Sequence, residues 1–333
     1  MSVFALVVLI ICVALAFDFV NGFHDAANSV ATVVATRVLR PLSAVALAAI
    51  FNFLAAFLLG TGVAATVGAG FVDTRIVTPY VILAGLLGAI IWNLLTWFFG
   101  LPVSSSHALI GGYAGAAVAK AGLKGLILGK WPSTLLFIVL APVIGLVLGY
   151  LLMVLVYWGF RRTSPARLDR LFRHAQLVSA SLLSCAHGTN DAQKTMGIIT
   201  AVLVAAGFER SFHVPDWVIL TSAAAMGLGT LTGGWRVVRT LGTRLTRLKP
   251  RSGFCAETGA AISILLATWL KLPVSTTHVV AGSIVGVGSI QRVRAVRWNV
   301  AGNIIVAWVL TIPAAAMVAG LAFFLIRLLH PNA

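Results

Sequence analysis

Two short stretches of this chain repeat the same polar residues inside otherwise apolar sequence. Asn21–Ser29 reads N-G-F-H-D-A-A-N-S, and His187–Thr195 reads H-G-T-N-D-A-Q-K-T, with Gly, Asp and Ala in register. A second pair is tighter. Leu101–His107 is L-P-V-S-S-S-H and Leu272–His278 is L-P-V-S-T-T-H, with five identities and two Ser/Thr exchanges. Together these stretches hold two carboxylates (Asp25 and Asp191), the ammonium of Lys194 and four amides, of which Asn28 and Asn190 are the candidate ligands. They also hold the hydroxyls of Ser104, Ser105, Ser106, Ser275, Thr276 and Thr277. Hydroxyls, amides and an ammonium donate to oxyanions, whereas carboxylates accept a hydrogen bond from a protonated anion or hold a cation. This inventory suits joint binding of an oxyanion and a cation.

The elements carrying these groups must lie in a bilayer. Of 333 residues 60% are apolar and only 10% charged, against about 25% charged in a soluble domain. Apolar stretches recur at Val3–Ala16, Ala44–Ala69, Pro79–Phe99 and Leu135–Tyr157, the longer ones able to cross about 30 Å of hydrocarbon. The first lacks a basic flank and a small-x-small cleavage site, so it reads as a retained helix. The net charge of +16 reflects topology, not nucleic-acid binding, because the basic residues cluster in short loops. Cys12, Cys185 and Cys255 read as small packing residues.

Asp25 recurs 166 residues later as Asp191, and His107 recurs 171 residues later as His278, so the chain is one duplicated unit. Residues 1–160 form the first repeat, 161–175 a basic cytoplasmic loop, and 176–333 the second repeat. Loops Arg37–Arg40, Arg161–Arg173, Arg236–Arg251 and Arg292–Arg297 hold 16 of the 24 Lys and Arg, which places all four in the cytoplasm. The two halves then run in opposite directions, and each Leu-Pro-Val-Ser run becomes the tip of a re-entrant hairpin. The expected fold is an all-α polytopic membrane protein, an inverted-topology repeat with broken helices and two re-entrant helical hairpins.

Helices may break inside hydrocarbon only where they line a cavity or protein. Gly22, Gly188, Pro102 and Pro273 predict four breaks, each followed by capping residues, so four helix N-termini would converge on an anion near the midplane. Any one motif alone reads as an ordinary kink or cap; their symmetric recurrence favours a substrate site. Carboxylates beside an oxyanion favour phosphate, which is protonated near neutral pH, over sulfate, the alternative substrate. Asp18, Asp25, Asp191 and Glu257 are the only acids within the expected spans, and intramembrane acids are functional candidates. Glu257 reads as a proton or cation relay or as a helix-pairing acid, and His24 as a candidate titrating group. His107 and His278 are expected to hydrogen-bond to each other across the hairpin tips. No transition-metal ligand set and no nucleophile–base pair stand out, so neither a resident metal nor an enzyme is expected.

These motifs resemble those of the inorganic phosphate transporter (Pit, low-affinity phosphate permease) family over nearly the whole chain. The resemblance implies a plasma-membrane homodimer, an inverted-repeat fold and cation-coupled phosphate import. It also implies a site formed by Asp25, Asn28, Asn190, Asp191 and the Ser/Thr tips, with sodium held at Asp25 and Asp191 where sodium is the coupling ion. His24 stands where many sodium-coupled members carry Asn. This is similar to the bacterial branch, associated with protons and with metal–phosphate complexes as cargo. Proton or sodium coupling, with His24, Asp25, Asp191 and Glu257 as coupling residues, and no further cofactor, are what the resemblance implies.

Overall fold

The computed structural model describes residues 2–58, 60–73, 75–290 and 293–331. Arg292 of the last basic loop and Thr74 of the Asp73–Arg75 connection lie outside the described residues. Helices α1 (Val3–Ala35), α2 (Pro41–Ala55), α3 (Gly62–Ala69), α4 (Pro79–Phe99), α5 (Ser105–Ala121) and α6 (Trp131–Gly159) make the first half. The second half repeats them as α7 (Pro165–Ala205), α8 (Asp216–Thr232), α9 (Trp235–Arg239), α10 (Pro250–Trp269), α11 (Thr276–Ser289) and α12 (Trp298–Leu329). Among the described residues α1, α4, α6 and α12 are long and apolar enough to cross a membrane. The segments Asp216–Thr232 and Trp235–Arg244 are together long and apolar enough for a further span and meet at a 60° bend. The chain is a multi-pass membrane protein.

The two halves interlock. Helix α5 lies along α12 and α11 along α6, so each hairpin is seated on the last helix of the other half. Glycines set this approach: a Cβ on Gly111 would lie 2.6 Å from the Ile312 carbonyl oxygen, and one on Gly282 2.1 Å from that of Pro142. Without a hydrophobic driving force between helices in lipid, such close backbone contact is what holds them together.

Both hairpins form as the sequence predicts. The runs Leu101–Ser104 and Leu272–Ser275 are non-helical, and the next helix of each starts under a serine cap. The His107 amide donates to Ser104 Oγ at 3.2 Å, and the His278 amide to Ser275 Oγ at 3.2 Å. Where α4 ends, Gly100 takes the left-handed conformation at φ 67; its counterpart Lys271 does so at φ 59.

The other two expected breaks are absent. Helices α1 and α7 run unbroken through Gly22 and Gly188, so two helix N-termini, not four, face the centre. The glycines serve packing: a Cβ on Gly22 would sit 2.2 Å from the Met226 carbonyl oxygen of α8, and one on Gly188 2.4 Å from that of Asn52 in α2. An unbroken helix keeps its backbone groups paired where water cannot reach them. The basic segment 161–175 also differs from expectation. Helix α7 begins at Pro165, a favoured first helical residue, so only a short turn precedes it and Arg167, Arg170 and Arg173 ride on the helix.

Candidate functional site

Helices α1 and α7 pack against each other and against both hairpins, α7 reaching the tips through Lys194. Asp25 of α1 and Asp191 of α7 meet there with His187, each offering a ligand atom within 4.8 Å of the others, and all three are buried. His187 lies one helical turn before Asp191, its Nε2 3.2 Å from Asp191 Oδ2. Its Nδ1 faces Asn52 Oδ1 at 3.2 Å, which ties α7 to α2. Sequence reasoning assigned His187 no role and saw no ligand set; continuous helix brings it to Asp191.

The residue three positions after each aspartate reaches a hairpin tip. Asn28 Nδ2 donates to Thr277 Oγ1 at 2.9 Å and Thr276 Oγ1 at 3.3 Å. Lys194 donates to Ser106 Oγ on the opposite tip, to Asp191 Oδ1 and, at 3.2 Å, to the Val274 carbonyl. Thr276 Oγ1 also donates to Asp191 Oδ2 at 3.2 Å. The centre thus joins Asp25, Asn28, Ser106, Asp191, Lys194, Thr276 and Thr277, with Ser105 beside them on its tip. Ser105 Oγ and Asn28 Oδ1 are buried with no hydrogen-bond partner among the described residues. The first-turn amides of α5 and α11 add oriented positive dipole ends.

Other expected site residues act around this centre. Ser104 and Ser275 spend their oxygens as helix caps. Asn190 Nδ2 donates to Thr268 Oγ1 at 2.9 Å, tying α7 to the end of α10. His24 Nδ1 lies 2.8 Å from Asp25 Oδ1, and its Nε2 3.4 Å from Thr96 Oγ1 of α4. Asp18 sits beside Asn21 and Thr195. Glu257 forms a separate buried station. Its Oε1 accepts from Thr32 Oγ1 at 2.5 Å and Gln176 Nε2 at 2.8 Å, and its Oε2 from Ser179 Oγ. Thr32 is seven residues beyond Asp25, roughly 10 Å along α1.

His107 and His278 do not hydrogen-bond to each other. Their rings meet edge to face with centroids 4.9 Å apart. The cause is Pro142 in α6, which has no N–H for the Ile138 carbonyl four residues earlier. His278 Nδ1 lies 3.3 Å from that oxygen, while its ring stacks on Trp308 at 3.9 Å. Trp308 Nε1 in turn donates to Pro102 O at 2.9 Å, fixing the first tip.

An interlocked, duplicated helical body with opposed carboxylates and helix N-termini at its centre defines a membrane transporter for a small anion. Comparison with known proteins gives the family. The Phosphate transporter family matches residues 21–167 and 160–319, and the chain belongs to it. A Rhizobium meliloti (strain 1021) protein named "Probable low-affinity inorganic phosphate transporter" is 56% identical over 322 residues, 96% of each chain. A Bacillus subtilis (strain 168) protein of the same name is 46% identical over 97% of this chain and 98% of its own. A solved structure, "The sodium-dependent phosphate transporter", has the same fold with a TM-score of 0.91 at 24% identity, covering 97% of this chain and 99% of that one. These relatives are transporters, and the chain is not an enzyme.

Proposed function

We propose that the chain imports inorganic phosphate across the cell membrane by cation symport, with the proton as coupling ion. The observation that carries this is the charge at the centre. Asp25 and Asp191 are buried there against a single ammonium, Lys194. An anion entering a dry site that already has excess negative charge must bring positive charge with it, because unpaired buried charge is costly. A proton shared between phosphate and a carboxylate meets that need and joins two groups that would otherwise repel. Ser105, Ser106 and Thr277, with the amides at the helix starts, supply donors to the remaining oxygens, while Thr276 gives its O–H to Asp191 and positions that carboxylate.

His24 and Asp25, 2.8 Å apart, are the coupling residues of the first half and Asp191 that of the second, with Glu257 the relay on the side where α1 ends and α7 begins. With a divalent metal–phosphate complex as cargo, Asp25 and Asp191 face the metal. The site residues are all buried, so access requires the hairpins to move against α1 and α7, opening to each side in turn. The chain pairs as a homodimer in the membrane, as the family resemblance implies.

Purified protein in liposomes, with proton and sodium gradients imposed separately, tests this. A pH gradient alone should drive accumulation of radiolabelled phosphate, and excess sulfate should not compete. Accumulation driven only by sodium would overturn proton coupling. Full uptake by Asp191→Asn would overturn the site.

A further inference from the structure

We infer that Lys194 is a tethered counter-cation, replacing a mobile metal ion in the second half of the site instead of binding phosphate. This rests on the transport reading above and specifies how one half of that site is charged. The duplication aligns Lys194 with Asn28, both three residues after their aspartate and 166 residues apart. The two do equivalent structural work, since each crosses to a hairpin tip and donates to its Ser/Thr hydroxyls. They differ in charge. Asn28 leaves Asp25 without an ammonium, whereas Lys194 pairs directly with Asp191.

An ammonium has three N–H donors and no acceptor. Lys194 directs all three to protein oxygens: a carboxylate of Asp191, the hydroxyl of Ser106 and the carbonyl of Val274. No donor remains for an anion. A carboxylate, a hydroxyl and a backbone carbonyl converging on one point is also an oxygen shell of the kind that holds a hard metal cation. The lysine nitrogen sits in that shell on its own side chain, and Lys194 is itself buried, only 2% exposed. The second half therefore carries its cation permanently. The first half, with Asp25 and a neutral Asn28, must take up a mobile proton or ion with each anion.

The test is Lys194→Asn, which copies the first half into the second, measured in liposomes under a fixed pH gradient with choline or sodium as the added cation. Wild-type uptake should be the same in both. Uptake by Lys194→Asn should fall about tenfold or more in choline, because Asp191 loses its partner, and sodium or lithium should restore it severalfold. Purified Lys194→Asn should gain thermal stability on adding sodium, which wild type should not. Lys194→Asn,Asp191→Asn should lose that response, and Lys194→Arg should stay indifferent to sodium. Unchanged uptake by Lys194→Asn in choline would overturn the inference. So would a folded Lys194→Asn that neither sodium nor lithium rescues or stabilises. If Lys194→Asn fails to fold even with sodium present, Lys194→Gln is read by the same two measurements, and failure of both to fold with either cation also overturns it. The stability readout needs no transport, so a wild type that moves no phosphate refutes the transport reading and leaves this one to be decided by the sodium response.

Discussion

Gly188→Ala separates two roles that a glycine can have inside a membrane helix. As a hinge, it would weaken α7, and alanine would stabilise the helix by about 1 kcal/mol. As a packing contact, alanine must push helices apart. A Cβ at 188 would lie 2.4 Å from the Asn52 carbonyl oxygen, against 3.4 Å for the onset of ordinary contact, a deficit of 1.0 Å. The obstacle is backbone, so no rotamer change relieves it. Overpacking costs about 1–3 kcal/mol, and a 1.0 Å clash with backbone belongs at the upper end, so after the propensity gain the net loss is about 2 kcal/mol. Gly227→Ala is the matched control, because its Cβ would meet Ala49 O at 3.5 Å and Phe53 Cβ at 3.6 Å, with room to spare. In detergent, thermal unfolding followed by scanning fluorimetry should show Gly188→Ala several degrees below wild type and Gly227→Ala level or higher. Phosphate uptake should fall in the first variant, because displacing α7 moves His187 and Asp191. A Tm for Gly188→Ala at or above wild type would refute the packing account.

Three further outcomes can be checked in the same preparations. Glu257→Gln keeps the size and one acceptor of the station but removes its titration; uptake should lose its response to an imposed pH gradient while phosphate still stabilises the protein. Lys271→Gly should raise Tm by a degree or two, since a non-glycine residue at φ 59 is strained by about 1 kcal/mol. In the exposed connection between α3 and α4, the Arg75 guanidinium holds the Asp73 carboxyl below its ordinary 3.8. A depressed carboxyl contributes stability above that value and loses it as the pH falls. Because the pair is solvent-exposed the contribution is small: Arg75→Ala should lower Tm slightly at neutral pH, and the two Tm–pH profiles should converge as the pH falls below about 4.

The hairpins were legible in the sequence because their cause is local. A proline removes a helical donor, and a serine two residues later caps the next helix, whatever packs nearby. Gly22 and Gly188 were not legible. Glycine both weakens a helix and admits a neighbouring backbone, and which effect operates depends on Met226 and Asn52, far away in sequence. That one ambiguity also hid His187. Across a loop it has no fixed relation to Asp191, but on a continuous helix four residues place the two side chains on one face. The carbonyl that draws His278 away from His107 was hidden likewise, since it depends on which helix Pro142 faces.

What the duplication leaves unmatched indicates where coupling occurs. Both halves contribute an aspartate and a Ser/Thr tip, so the anion meets similar groups whichever way the hairpins stand. The Glu257 station has no such counterpart. The internal offsets align Glu257, Thr32, Gln176 and Ser179 with Leu86, Ile198, Ile10 and Val13. Leu86, Ile198 and Ile10 are buried in one apolar cluster, with Val13 packed against it. On that side Asp18, seven residues before Asp25 and beside Asn21 and Thr195, is the nearest carboxylate and hydrocarbon side chains lie beyond it, whereas on the other side Glu257 sits among its hydroxyl and amide partners. Transfer of a charge into an apolar layer is costly, and the two sides of the centre relieve it differently, with Asp18 on one and Glu257 with its three polar partners on the other. The duplication thus accounts for the paired aspartates and hairpin tips, and Glu257 with its partners marks where the two halves differ.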